Sequence, residues 1–296
     1  MADLFGTAGE SSTLFGTSLD DRMYGLSGND VLNGLDGDDS LFGGSGFDLG
    51  FYGDAGKDTL FGGDGDERSF FGGGGGDTLF SDGGDFHGAF HGEGGNDRIY
   101  GSDSGIEFFF YGGTGDDTIF SNDGEDQYFF GDAGHDTLHA GLGEDSFFYG
   151  GSGNDGLVGG AGDDARIFGG QGKDHMFGGA DDDSLFFGGI GRDRMRGGRG
   201  DDRGFYGGSA QDTMFGDSGS DQLFGGSSAD ILLGGAELDR LYGGDGDDTF
   251  VVTTVADLVA GELYDGGAGN DTLIAREGVV FEADNLLTSI ESIIFV

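Results

Sequence analysis

One short phrase recurs along the chain, and its lengths alternate. Residues 150–168 read GGSGNDGLVGGAGDDARIF, which is two copies of Gly-Gly, any residue, Gly, a polar residue, Asp, then a short apolar run. The glycine-rich half of each copy is a turn, because paired glycines supply the positive φ that other residues resist. The apolar half is too short for a helix and fits a strand of three or four residues. One phrase is therefore one turn plus one strand, and two phrases make one circuit of a flattened coil.

The alternation appears when the chain is cut before each turn glycine. Units that begin at 16, 34, 53, 72 and so on to 243 are nine residues long every time. The intervening units are mostly ten, with eleven at 81 and 101 and nine at 25, 216 and 234. Two units per circuit stack all constant units on one side and all variable units on the other, so insertions lengthen only one side. This segregation predicts an all-β, two-sided β-solenoid over 1–251, with 252–296 as a C-terminal segment that carries one last repeat at 266–274 and caps the core.

Apolar residues follow the same division. Position eight of the constant units reads Met23, Leu41, Leu60, Leu79, Ile99, Ile119, Leu138, Leu157, Met176, Met195, Met214, Leu232, Phe250. The second-last residue of the variable units reads Leu14, Leu32, Phe51, Phe70, Phe90, Phe110, Phe129, Phe148, Ile167, Phe186, Phe205, Leu223, Leu241. An aliphatic ladder is expected to face a phenylalanine ladder across a thin interior. Last residues of units point the other way and are often aromatic, such as Phe61, Phe80, Tyr52 and Phe71. They read either as shields for the following Gly-Gly backbone or as an exposed strip that meets a partner.

Charge decides what such a chain can bind. Its 57 acidic residues against 13 basic give a formal net charge of −44, and 72 of 296 residues are Gly. That composition alone reads as disorder, and disorder is the expected state without metal. The 29 Phe at fixed intervals argue for a folded final state. Nucleic acid and anionic membranes would be repelled, so cations are the natural partners. With no Cys, disulfides do not hold the fold. No apolar run is long enough to span a bilayer, so no membrane insertion is expected, and MADLFGTAGESS lacks the basic and apolar regions of a cleaved signal peptide.

The phrase resembles the GGxGxDxUx nonapeptide of RTX (repeats-in-toxin) calcium-binding proteins, with U a large apolar residue. GGGGGDTLF (72–80), GGTGDDTIF (112–120), GGSGNDGLV (150–158) and GGAGNDTLI (266–274) carry the match, which covers roughly 16–274. The resemblance implies a parallel β-roll with calcium held between stacked turns. Calcium takes six to eight oxygen ligands in a tolerant geometry. Glycine turns expose carbonyls, the sixth-position aspartate adds a carboxylate, and turns ~4.8 Å apart can share an ion. The constant side supplies Asp21, Asp39, Asp58, Asp77, Asp97, Asp117, Asp136, Asp155, Asp174, Asp193, Asp212, Asp230 and Asp248, with Asp271 in the last repeat. The variable side supplies Asp30 and Asp48, loses the aspartate at Glu67, Phe86 and Ile106, and recovers it with Asp126, Asp145, Asp164, Asp183, Asp202, Asp221 and Asp239. One ion per stacked pair gives about 12 sites on one side and about 7 on the other. About 19 Ca2+ ions would nearly balance the charge of −44. Folding is then expected to require calcium, and the roll to be weakest over 81–111.

Catalytic motifs are missing: there is no HExxH, GxSxG or P-loop. His87 with His91 and His135 with His139 are four apart, which does not bring imidazoles together on a roll. Arg192, Arg194, Arg196, Arg199 and Arg203 read as local charge relief. The tail LLTSIESIIFV places Glu291 before Ile293, Ile294, Phe295 and Val296, resembling an uncleaved type I secretion signal. The N-terminal rung, with Leu14 and Met23 expected to be uncovered, is a candidate contact for a second copy. The resulting expectation is a secreted, non-enzymatic, calcium-folded extracellular or cell-surface module. Its alternatives are a ligand- or surface-binding module using a flat face, and the secretion portion of a larger exoenzyme.

Overall fold

In the computed structural model, residues 2–65, 67–81, 88–102, 108–253, 260–277, 279 and 286–296 are described. Two compact units divide the chain, Met1–Ser152 and Gly153–Val296. Every element among the described residues is a β-strand, and every strand pairing is parallel. Each unit is a parallel β-roll of two sheets, because consecutive strands alternate between the sheets.

In the first unit, one sheet takes the strands that follow the constant turns: Arg22–Ser27, Ser40–Ser45, Thr59–Asp64, Thr78–Phe80, Arg98–Tyr100, Thr118–Phe120 and Thr137–Leu142. The other takes the strands that follow the variable turns, from Thr13–Phe15 to Ser146–Ser152. The second unit repeats this division, with Gly156–Ala161 to Ser292–Phe295 in one sheet and Ala165–Gln171 to Leu286–Thr288 in the other. Strand pairing is in register with the repeat: Leu41 meets Leu60, and Phe129 meets Phe148.

Alternation along each strand buries the two inner ladders. Met23, Leu41, Leu60 and Leu79 on one sheet, and Phe51, Phe70, Phe90 and Phe110 on the other, are all buried. The inner phenylalanines stack on one another, with ring centroids 4.7 Å apart for Phe51–Phe70 and 4.5 Å for Phe129–Phe148. Outward aromatics stack in the same way, as in Phe61–Phe80 at 4.9 Å and Tyr52–Phe71 at 5.1 Å. Their faces are used against each other, so the ladders present ring edges to solvent.

The extra residue of the ten-residue units has a specific place. Gln127 pairs with Ser146 and Phe129 with Phe148, leaving Tyr128 and Phe147 out of the ladder. Both take left-handed backbone, with φ of 65° and 66°, and so does Arg166 at 62°. A bulky residue there is strained. Repeating the same bulge on successive rungs lets it stack, as Tyr128 and Phe147 do with ring centroids 4.7 Å apart.

The N-terminal end departs from expectation. Strand Asp3–Phe5 pairs with Arg22–Ser27 and sets Leu4 over Met23, which is fully buried. Met23 is therefore not a surface residue; the strand Asp3–Phe5 covers it. Leu14 is half-buried, and Phe5, Phe15 and Leu19 are exposed apolar groups there, at 61%, 61% and 63%. At the other end Ser292–Phe295 adds a further rung that covers Leu273, while Ile293, Ile294 and Phe295 remain exposed. Phe86 and Ile106, on which the expected weak region rests, lie outside the described residues.

Candidate metal centres

The sixth-position aspartates point into the roll. Asp39, Asp58, Asp77, Asp97 and Asp117 are buried in the first unit, as are Asp174, Asp193, Asp212, Asp230, Asp248 and Asp271 in the second. Their Oδ1 atoms form a ladder with the backbone. The N–H of Asp21 donates to Asp39 Oδ1 at 2.7 Å, that of Asp58 to Asp77 at 2.8 Å, and that of Asp97 to Asp117 at 2.7 Å. In the second unit Asp193 donates to Asp212, Asp212 to Asp230, and Asp230 to Asp248, each at 2.8 Å. The variable side does the same: Asp30 to Asp48 at 2.8 Å, Asp126 to Asp145 at 2.6 Å, Asp164 to Asp183 at 2.9 Å, and Asp221 to Asp239 at 2.9 Å. Asp136 and Asp155 are buried in the same positions.

The second carboxylate oxygen has a different environment. Oδ2 of Asp39, Asp58, Asp97, Asp174, Asp202, Asp212 and Asp230 is buried and accepts no hydrogen bond. It faces the first glycine of its own turn. A Cβ built on Gly25 would lie 2.6 Å from Asp30 Oδ2 and 2.6 Å from the Gly43 carbonyl oxygen one rung on. On Gly207 it would lie 2.6 Å from both Asp212 Oδ2 and the Gly225 carbonyl oxygen. Turns of this kind, such as those opened by Gly25, Gly53, Gly92, Gly207 and Gly225, aim a carboxylate oxygen and a carbonyl oxygen at the space a side chain would fill. Burying an uncompensated carboxylate is costly, and hard-oxygen donors facing one space suit a calcium ion.

Electrostatics agree with that reading. Burial pushes Asp183 up to about 9, with neighbouring Asp164 and Asp202 adding to it against the N–H bond from Asp164. Asp221 and Asp230 rise to about 8, and Asp58, Asp117, Asp174, Asp202 and Asp212 to about 7, for the same reasons in the same order. Asp21 is the exception. Burial raises it, but hydrogen bonds from the Thr17 hydroxyl and the Ala2 and Thr17 N–H groups outweigh this and hold it low. A bound cation would reverse the local preference for protonation.

Three acids outside the aspartate pattern also stand in the ladder. Glu67 is buried at the sixth position, where the variable side was expected to lose its ligands, and its Cδ is 2.8 Å from a Cβ built on Gly62. Glu262 is buried one rung beyond Asp239, ahead of the Arg240–Leu263 pair, and accepts a hydrogen bond from the Tyr264 hydroxyl at 2.8 Å. Glu291 accepts the Asp271 N–H at 2.7 Å, so it has a structural position besides its place in the tail pattern.

A second ladder runs the opposite way on the fifth position. The Lys57 N–H donates back to Asp38 Oδ1 at 2.9 Å, Asp116 to Asn96 at 2.9 Å, and Asp201 to Asp182 at 2.8 Å. The recurrent Asn-Asp and Asp-Asp pairs were its sequence signal.

Among the described residues no three His, Asp or Glu side chains converge as a metal-binding group. Any ion in these turns must draw on carbonyl oxygens as well as carboxylates, which calcium does and zinc does not. Of the spaced histidines, His91 stacks between Phe71 and Tyr111 at 4.7 and 4.8 Å and His139 on Phe120 at 5.0 Å, whereas His135 is an exposed turn residue whose N–H donates to Asp116 Oδ1 at 2.8 Å.

The profile of the RTX calcium-binding nonapeptide repeat (4 copies) matches residues 15–49, 51–68, 88–104 and 109–132, then overlapping stretches over 130–258, and 262–279. No curated protein matches the chain.

Proposed function

The chain belongs to the RTX calcium-binding nonapeptide repeat family, and on that premise we propose that it is a secreted module whose roll forms when calcium binds and which acts without enzymatic activity as an extracellular structural or surface element. The observation that carries this reading is the row of buried Oδ2 atoms without hydrogen bonds, each aimed at a glycine of its own turn. The residues that would hold the ions are the stacked sixth-position acids, with the carbonyls of the first glycines one rung on. Bound calcium would supply the positive charge that buried carboxylates require.

One ion per stacked aspartate pair gives about 19 ions, and Glu67, Glu262 and Glu291 could add to that number. Metal binding would then be folding free energy, because the unfolded chain has no preformed site. Secretion by a type I route is supported by the family and by the tail pattern around Glu291. The test is circular dichroism of the full chain in chelator and in millimolar calcium. Coil in chelator and β-structure in calcium support the reading; equal β-structure in both rejects it.

A second reading, a ligand-binding module, is favoured by one observation: a groove on the second unit where Arg196 interrupts an outward aromatic row between Phe177 and Phe215.

A further inference from the structure

The bulged residues of the longer variable units form a row of their own. Phe109, Tyr128 and Phe147 each leave the strand ladder, with φ of 67°, 65° and 66°. Gly204 stands at the same bulge in the second unit, between the Ser184–Arg203 and Phe186–Phe205 pairs, with φ of 70°. The fold therefore accepts glycine at this position, where a bulky residue is strained. Arg166 and Leu185 take the same backbone without a ring, at 62° and 60°, so the bulge does not require aromatics. A chain with 72 glycines nevertheless places rings on three successive strained rungs, and strain of that kind collects at sites of function.

These rings complete a two-row surface on the first unit. Along the bulge row, centroids are 4.9 Å apart for Phe109–Tyr128 and 4.7 Å for Tyr128–Phe147. Two residues on, Tyr111, Phe130 and Tyr149 stack at 4.9 and 5.0 Å. Phe109 and Tyr111 of one strand lie 6.3 Å apart with ring planes 3° apart, so the rows run side by side with their rings parallel. The outward Phe61–Phe80 row of the other sheet has Thr59 and Thr78 in place of a second aromatic row. Stacking within each row uses the ring faces, so both rows offer ring edges, and Phe109 is 40% exposed. Beyond the second row stands Asp132, exposed between Gly113 and Gly151 of the adjacent rungs and in no ion pair among the described residues. The middle strand, Gln127–Ala133, is paired on both sides, so a peptide cannot add there as a strand.

We propose that this double row binds an elongated planar aromatic cation, lying flat across the ring edges with its long axis along the rows. Ring edges carry the positive part of the aromatic quadrupole and pair best with the negative face of another ring. An electron-rich ring in the ligand supplies that face. A sugar would find no free ring face here, and a second copy of the chain would bring edges to edges and Asp132 to Asp132. The Asp132 carboxylate beside the rows, in a chain of net charge −44, favours a cationic ligand over an anionic one. The site is separate from the arginine groove of the second unit and does not depend on it.

The experiment is titration of the full chain with thioflavin T in saturating calcium, read by equilibrium dialysis and dye fluorescence, on material that light scattering shows to be free of aggregates. Anilinonaphthalene sulfonate, an aromatic anion, and tetramethylammonium, a cation without rings, are the comparison probes. Thioflavin T is expected to bind, and both comparison probes to bind at least about tenfold more weakly. Phe109→Gly and Tyr128→Gly should each weaken thioflavin T by about tenfold while folding at the calcium concentration of the wild type, because glycine relieves the left-handed strain. Phe61→Ala, in the single row of the other sheet, should leave the affinity unchanged. No thioflavin T binding, a comparison probe binding as tightly, unchanged binding in both glycine variants, or an equal loss in Phe61→Ala would each overturn the proposal. Glycine variants that no longer fold in calcium would overturn it too, since rings that the roll requires need no ligand to explain them.

Discussion

The backbone N–H of Asp193 donates to Oδ1 of Asp212 one rung away, at 2.8 Å, while Oδ2 of Asp212 is buried without a hydrogen bond. The two oxygens of one carboxylate thus do different work. Oδ1 joins successive turns as part of the scaffold, and Oδ2 is left for a cation.

That division predicts different outcomes for two substitutions at one position. Asp212→Asn keeps an acceptor for the Asp193 N–H and removes the charge; Asp212→Ala removes both. Both should raise the calcium concentration at the folding midpoint. Only Asp212→Ala should also destabilise the calcium-saturated roll by a further ~1–3 kcal/mol, the cost of a buried N–H left unpaired. Thermal melts in saturating calcium measure the difference.

The glycine that faces Oδ2 should tolerate no side chain. Gly207→Ala puts a Cβ 2.6 Å from Asp212 Oδ2 and the Gly225 carbonyl oxygen, whereas at Gly74 the nearest atom would be 3.9 Å away. Gly207→Ala should therefore weaken calcium binding and shift the folding midpoint to higher calcium, and Gly74→Ala should leave it near that of the wild type. Calcium titration followed by circular dichroism reads both.

The response to pH should change sign with calcium. Burial first, and like charges after it, raise Asp183 to about 9 and Asp221 and Asp230 to about 8, from 3.8. Between about pH 4 and the raised values the metal-free roll holds protons that the unfolded chain has released. Its stability therefore falls as pH rises through that window. With calcium, protons compete with the ion for the same carboxylates, so affinity rises with pH. In chelator, residual β-structure should be greater at pH 5 than at pH 9. In limiting calcium, the order should reverse.

The core ladder should be sensitive along its length. Phe129 is buried between Phe110 and Phe148, with ring centroids at 4.9 and 4.5 Å, and Phe129→Ala should cost about 3–5 kcal/mol in saturating calcium. Phe15→Ala, at a residue 61% exposed, should cost well under 1 kcal/mol. Chemical denaturation of the calcium-loaded chains gives both values.

Most of the roll was legible because its period is local. A glycine turn and a strand fit in nine residues, so the phase of Asp58, Leu60 and Phe61 could be read without tertiary information. What escaped depended on neighbours a rung away. Nothing in the sequence marks Tyr128 and Phe147 as the residues that leave the ladder, since stacking between rungs chooses the bulge. Glu262 and Glu291 were hidden because their rungs lack the Gly-Gly spacing; only pairing with Asp239 and Asp271 places them. Met23 looked uncovered because a three-residue strand, Asp3–Phe5, carries no repeat signature.

The most direct test of the account is a crystal structure of the calcium-loaded chain with anomalous scattering that identifies the ions. It should show calcium within about 2.3–2.6 Å of the Oδ2 atoms of Asp202, Asp212 and Asp221. The same ions should contact the carbonyls of stacked turns. Ions found only on the exposed fifth-position carboxylates, with those Oδ2 atoms still unliganded, would contradict it.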